Sequence, residues 1–230
     1  MKYVLEVCLL AFATTNFAPS TATAAPAQSL QQGISVELAP THSASPMPDA
    51  DSEDAFIVTV TANSSVYLGI NSITLPELAL KTRSTPFKRG HAIYIKADAR
   101  TPCATVLQVL QATSSGGMIP QVLLTNQPPP SESDRVVPPQ GLDVSVSPLP
   151  AGSVATVVQL LASVQESTLL RVNNDPISWP ALESTLTRHF QKGDDKLVLL
   201  RADPRLPFAD VVHAIDGCRA AGAKIYLAGL

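Results

Sequence analysis

The chain has 230 residues, 45% of them apolar and only 15% charged, with a net charge of −3. That length suits two small domains better than one. No Lys/Arg run interrupts the chain, so the basic footprint that a nucleic-acid partner demands is missing.

At the N-terminus, Met1-Lys2 precedes an apolar stretch from Tyr3 to Ala18, followed by Ala22-Thr23-Ala24. Small residues in an A-x-A pattern behind an apolar segment mark a secretory signal, with cleavage expected after Ala24. The competing reading of residues 1–24 is a degenerate membrane anchor, although a spanning helix needs about 20 mostly apolar residues and Thr14, Thr15 and Asn16 interrupt this one. Glu6 is polar for either role.

Three blocks then occur twice in the same order. Gly33–Pro40 matches Gly141–Pro148, Ile73–Leu78 matches Ile177–Leu182, and Lys96–Arg100 matches Arg201–Arg205. The offsets, 108, 104 and 105 residues, differ only by small loop changes. Self-similarity in register is the mark of internal duplication. The repeats are expected over 33–126 and 141–230, joined by a proline-rich linker at 127–140 of the semi-rigid polyproline type. Residues 41–54, rich in Ser, Pro and Asp, read as a loose loop.

Each repeat predicts the same elements. Ile34, Val36 and Leu38 alternate, as do Leu142, Val144 and Val146, which predicts an opening strand. Phe56–Thr61 and Val66–Leu68 flank Ala62-Asn63-Ser64-Ser65, a hairpin pattern; Val157–Val164 and Leu169–Val172 hold that place in the second copy. A helix is expected from Thr74, with Glu77 completing a capping box and Pro76 in the first turn, where no N–H is missed. Ser178 takes the cap position in the second copy, ahead of a Leu182, Leu186, Phe190 stripe at helical spacing. A strand follows, Ala92–Ile95 or Leu197–Leu200. Next comes a helix with Phe208, Val211, Val212 and Ile215 on one face and Gly222 as its C-cap. A last strand, Val122–Leu124 or Ile225–Leu227, closes the unit. The expected fold is therefore α+β, two tandem two-layer units, each β-β-β-α-β-α-β.

These motifs resemble the periplasmic domain of the ExbD/TolR family. Ile34–Pro40, Ile73–Leu78, Ala202-Asp203 and Val211–Leu227 carry the likeness, twice over Gly33–Leu230. The resemblance implies a non-enzymatic part of an envelope transport system driven by the proton gradient. It implies an ExbB/TolQ-like channel protein and a TonB/TolA-like transducer as partners, a location in the periplasm or on the inner membrane facing it, and domains that pair as dimers. Here the two repeats would pair with each other. If the N-terminal helix is retained, Glu6 stands at the position of the family's proton-carrying acid. The alternative function is a soluble periplasmic scaffold or peptidoglycan-binding module that keeps the fold without energy transduction.

Other chemistry finds little support. Asp98 and Asp203 stand at equivalent strand ends; they read either as paired carboxylates for acid–base work or as caps of the following turn, with Arg100 and Arg205 as their local partners. Cys103 and Cys218 fall at non-equivalent positions, as two buried small side chains or as the halves of a bridge that an oxidising compartment would permit. His42, His91, His189 and His213 have no ligand-spaced companions, so no metal is expected. No nucleotide- or cofactor-binding motif and no nucleophile elbow occurs, so neither cofactor nor enzyme activity is expected. Strand edges beside Ile34–Leu38 or Ile225–Leu227 are the expected docking sites for a partner strand.

Overall fold

The computed structural model describes residues 33–86, 91–114, 120–126, 138–146, 148–163, 167–191 and 196–229. The N-terminal segment 1–24 with Glu6, and most of the linker, lie outside the described residues.

The first part of the chain holds β1 (Ser45–Pro46), β2 (Phe56–Val60), β3 (Val66–Leu68), β4 (Asn71–Ser72), α1 (Leu75–Ser84), β5 (Ile93–Ala97), α2 (Cys103–Ser114) and β6 (Gln121–Thr125). The second holds β7 (Gln140–Val144), β8 (Thr156–Ala162), β9 (Thr168–Val172), β10 (Asp175–Ile177), α3 (Leu182–Phe190), β11 (Leu197–Ala202), α4 (Phe208–Ala220) and β12 (Lys224–Gly229). They build a seven-stranded sheet in the order β1-β7-β6-β5-β2-β3-β4 and a five-stranded sheet in the order β10-β9-β8-β11-β12. The fold is α+β, as expected.

Five strands of the first sheet repeat the second sheet's order and directions. β4-β3-β2-β5-β6 corresponds to β10-β9-β8-β11-β12, with the same antiparallel hairpins and the same two parallel pairs. In both, the parallel neighbours are joined through a helix, as a parallel crossover requires.

Local sequence chemistry explains the helix ends. Thr74 accepts the Glu77 N–H, while Glu77 accepts the Thr74 N–H at 3.0 Å and its hydroxyl at 2.8 Å, a complete capping box. Gly222 adopts φ +79° just past α4, a left-handed conformation that glycine takes without a Cβ penalty. Ser178 departs from expectation: its side chain caps nothing, because a 3-10 turn, Trp179–Ala181, precedes α3 and its Ala181 N–H bonds the Ser178 carbonyl instead. The α3 stripe of Leu182, Leu186 and Phe190 is buried. α1 packs beside α2, α3 beside α4, and α2 meets α4. One continuous apolar cluster includes Val58, Ile95 and Leu110 from the first part and Leu160, Leu186 and Phe208 from the second.

Three expectations are corrected. The segment Gly33–Pro40 is not a regular strand. It crosses the ends of β5 and β6, where Glu37 accepts the Ala99 N–H and Ala39 accepts the Asn126 N–H. The stretch 41–54 is not a loose loop: it contributes β1 and a 3-10 turn, Pro48–Asp51. Its Ala50, 1% exposed, and its Met47 pack on Ile57, Tyr94, Val122 and Leu124, forming a second small core on the sheet face away from the helices. Third, β7 does not join the second sheet. It pairs antiparallel with β6, placing Leu142 beside Leu123, and continues to Ser145, which bridges β12.

Residues 33–55 form an arm over the first sheet, and Gly141 on β7 sits under it. A Cβ there would overlap Val122 Cγ1 and lie 3.0 Å from Met47 Cγ and 3.3 Å from the Leu123 carbonyl oxygen. Gly141→Ala is therefore expected to destabilise the protein by about 1–3 kcal/mol. Urea denaturation gives the test: an unchanged midpoint would show that the arm does not press on β7.

Candidate functional site

The residues singled out at the two strand ends form matching clamps. At the end of β5, the buried Asp98 accepts Arg100 Nε at 2.9 Å and Nη2 at 3.0 Å, plus the Arg100 backbone N–H at 3.1 Å. At the end of β11, Asp203 accepts Arg205 Nε at 3.0 Å, Nη2 at 2.8 Å and the Arg205 N–H at 3.0 Å. The backbone repeats too. Asp98 donates its N–H to Val60 and accepts from Thr101, while Asp203 donates to Leu160 and accepts from Leu206. Two-pronged guanidinium–carboxylate pairs combine charge with fixed geometry. The clamps differ in their further contacts: Asp98 also accepts the Glu37 N–H at 3.2 Å and so holds the N-terminal arm, whereas the Asp203 carboxylate takes a backbone hydrogen bond from Ala162.

Hydrogen bonds from Arg100 and Arg205 bring the carboxyls of Asp98 and Asp203 down to about 2. Both remain ionised near neutral pH, so neither exchanges protons there. Their role is to shape the turn after each strand.

Those turns meet. Cys103 N–H donates to the Leu206 carbonyl at 2.8 Å, and Phe208 N–H donates to the Thr101 carbonyl at 2.8 Å. Ala104 donates to Pro204 at 3.1 Å, and Ala209 to Ala99 at 2.8 Å. Moving every residue by 105 positions, as from Ala99 to Pro204, converts the first bond of each pair into the second. The joint thus has the self-complementary pattern of a two-fold interface, centred on the antiparallel bridge between Pro102 and Pro207. Proline has no N–H to leave unpaired at this crowded centre.

The two cysteines are free and buried. Burial pushes both thiols up to about 12, with the Asp203 charge adding to the effect at Cys103. They are protonated, apolar core groups, and no bridge joins them. His213 is exposed and packs edge-on to Trp179, ring centroids 4.7 Å apart. Among the described residues no three His, Cys, Asp or Glu gather as a metal site.

Asp216 was not singled out by the sequence reading. It is buried on α4 and accepts the backbone N–H groups of His42 at 2.9 Å and Ser43 at 2.7 Å, with His42 Nδ1 3.6 Å away. It ties the arm of the first part to a helix of the second. The signal was there: Asp216 lies four residues after Val212, on the buried stripe, where a lone carboxylate needs donors. The expected docking edge at Ile225–Leu227 is also corrected. Ser145 occupies it, donating to Ile225 at 3.1 Å and accepting from Leu227 at 2.7 Å.

Comparison with known proteins adds the family. The family model described as Biopolymer transport protein ExbD/TolR matches residues 119–229. Those residues are similar to an ExbD/TolR domain. No curated protein matches the chain. The ExbD/TolR match takes in β6, β7 and the whole second sheet with α3 and α4. ExbD/TolR proteins are envelope-associated components of biopolymer transport and work with ExbB/TolQ and TonB/TolA proteins. Among the described residues, no helix is long and apolar enough to cross a membrane.

The clamps fix a pH dependence. A carboxylate whose pKa is depressed in the folded state stabilises that state above its unfolded value, and the stabilisation is lost as pH falls through the folded value. From the ordinary 3.8 down to about 2, the protein is expected to lose stability steeply. In urea titrations, Asp98→Asn combined with Asp203→Asn is expected to flatten this loss; an equally steep loss in the double variant would exclude the clamps as its source.

Proposed function

We propose that the protein is a non-enzymatic component of an envelope transport system powered by the proton gradient, acting in the periplasm through protein–protein contacts with an ExbB/TolQ-like channel protein and a TonB/TolA-like transducer. The observation that carries this reading is the ExbD/TolR match at 119–229. The chemistry of the joint supports it. Its carboxylates are committed to arginines and its thiols are protonated and buried, so the conspicuous polar groups serve architecture. If the protein is isolated from native envelopes after cross-linking, a channel protein of the ExbB/TolQ type is expected to come with it. Recovery with purified cell wall, and none with the channel protein, would replace this reading by a peptidoglycan-binding scaffold.

We further propose that the chain arose by internal duplication and that its two units stand for the dimer that the family resemblance implies. The support is the shared strand order of the two sheets and the 105-residue exchange of hydrogen bonds at the joint. Small-angle scattering from residues 33–230 should give a radius of gyration of about 16 Å, the value for one compact body of that length. A two-lobed distance distribution would refute the pairing.

A further inference from the structure

The two sheets share their layout but not their covering. On the first sheet, the face away from the helices carries a row of Ile57, Tyr94 and Val122 and, beside it, Thr59 and Lys96; all five are at most 5% exposed. The arm shields them, with Met47, Ala50 and Ala55 against the apolar row. The arm is acidic: Asp49, Asp51, Glu53 and Asp54 fall within it, and the Asp51 charge favours the ammonium of Lys96 against the cost of its burial.

Strand register places the corresponding face of the second sheet residue by residue. Leu199 stands between Val157 and Tyr226, and Arg201 lies beside Gln159, which in turn pairs with Arg171. Arg201 takes the place of Lys96, Leu199 that of Tyr94 and Val157 that of Ile57. Here the face is covered at Tyr226, 5% exposed, and open across β8, β9 and β11. Val157 and Leu199 are half-buried and belong to neither apolar cluster, Arg201 is exposed, and Leu169, paired with Leu161 on the next row, is 48% exposed. The residues between strand β7 and strand β8, 145–155, are somewhat fewer than those between Pro40 and β2, 41–55, that reach over the first sheet.

We propose that the open part of this face of the second sheet, centred on Arg201 and Arg171 between apolar rows, is the docking site for a short acidic polypeptide segment of a partner protein, seated as the arm is seated on the first sheet. Three features argue for that occupant. The same fold holds such a segment on the equivalent face, so the geometry is already realised within the molecule. The two cations are arginines, whose planar forks suit carboxylates. Apolar rows on either side would exclude water from those ion pairs, strengthening them beyond what an exposed pair achieves. The inference rests on this comparison of faces and not on the transport reading.

The test uses a fluorescein-labelled peptide of residues 45–56 as the acidic probe and the full chain as receptor, read by fluorescence polarisation. Saturable binding is expected, weakened about tenfold or more by the pair Arg171→Gln and Arg201→Gln and by replacing the peptide's Asp residues with Asn, and weakened by added salt. Circular dichroism of the double variant should match the parent, since Arg201 is exposed and Arg171 only half-buried. Absence of binding up to about 1 mM, binding that ignores the arginine changes, or displacement of the peptide by soluble peptidoglycan fragments would each overturn the proposal.

Discussion

The architecture depends on the joint at Pro102 and Pro207. Four backbone hydrogen bonds cross it in two exchanged pairs, and they form only because each strand exit is turned to the same angle. The Asp98–Arg100 and Asp203–Arg205 clamps set that angle. With the turns held, α2 and α4 start side by side and their apolar faces merge into one core. Two units of this size would each bury a modest core alone. Sharing one offsets the cost of ordering a second set of backbone residues.

Around this near-symmetric centre the outer segments break the symmetry. β7 leaves its own unit to extend the first sheet and then touches β12 through Ser145. The ties that hold down the arm of the first unit include Glu37 to Asp98, Ala39 to Asn126, Thr41 to Thr125, and His42 and Ser43 to Asp216. These ties make one unit closed on both faces and leave the other with a sheet face that carries arginines between apolar rows. The proposed duplication would let the two units divide labour, one stabilising the assembly and the other binding a partner.

The charge chemistry follows the same division. Carboxylates in the interior are satisfied by donors that also position backbone, as buried charges must be. Asp216 receives two N–H groups, and Asp98 receives a fork and two N–H groups. Asp98 and Asp203, brought down to about 2 by their arginines, are no proton relay at neutral pH. Among the described residues, Arg171 and Arg201 on the second sheet pair with no carboxylate.

The amino-acid sequence by itself determined the α+β alternation, the capping box at Thr74 and Glu77, the buried stripe of α3 and the Gly222 terminus, because each depends on neighbours within about one helical turn or one strand repeat. The matching Asp-x-Arg blocks were equally legible, since the clamp closes over two residues. Only the tertiary structure decided where β7 pairs, that residues 41–54 form a cover, and that Asp216 anchors the arm. Each of these choices is made by partners far along the chain: Leu142 with Leu123, Met47 and Ala50 with Tyr94 and Val122, Asp216 with His42. Alternation in Leu142, Val144 and Val146 specifies a strand but is silent about which sheet edge offers it unpaired hydrogen bonds. That edge exists only once β6 has been laid down beside β5.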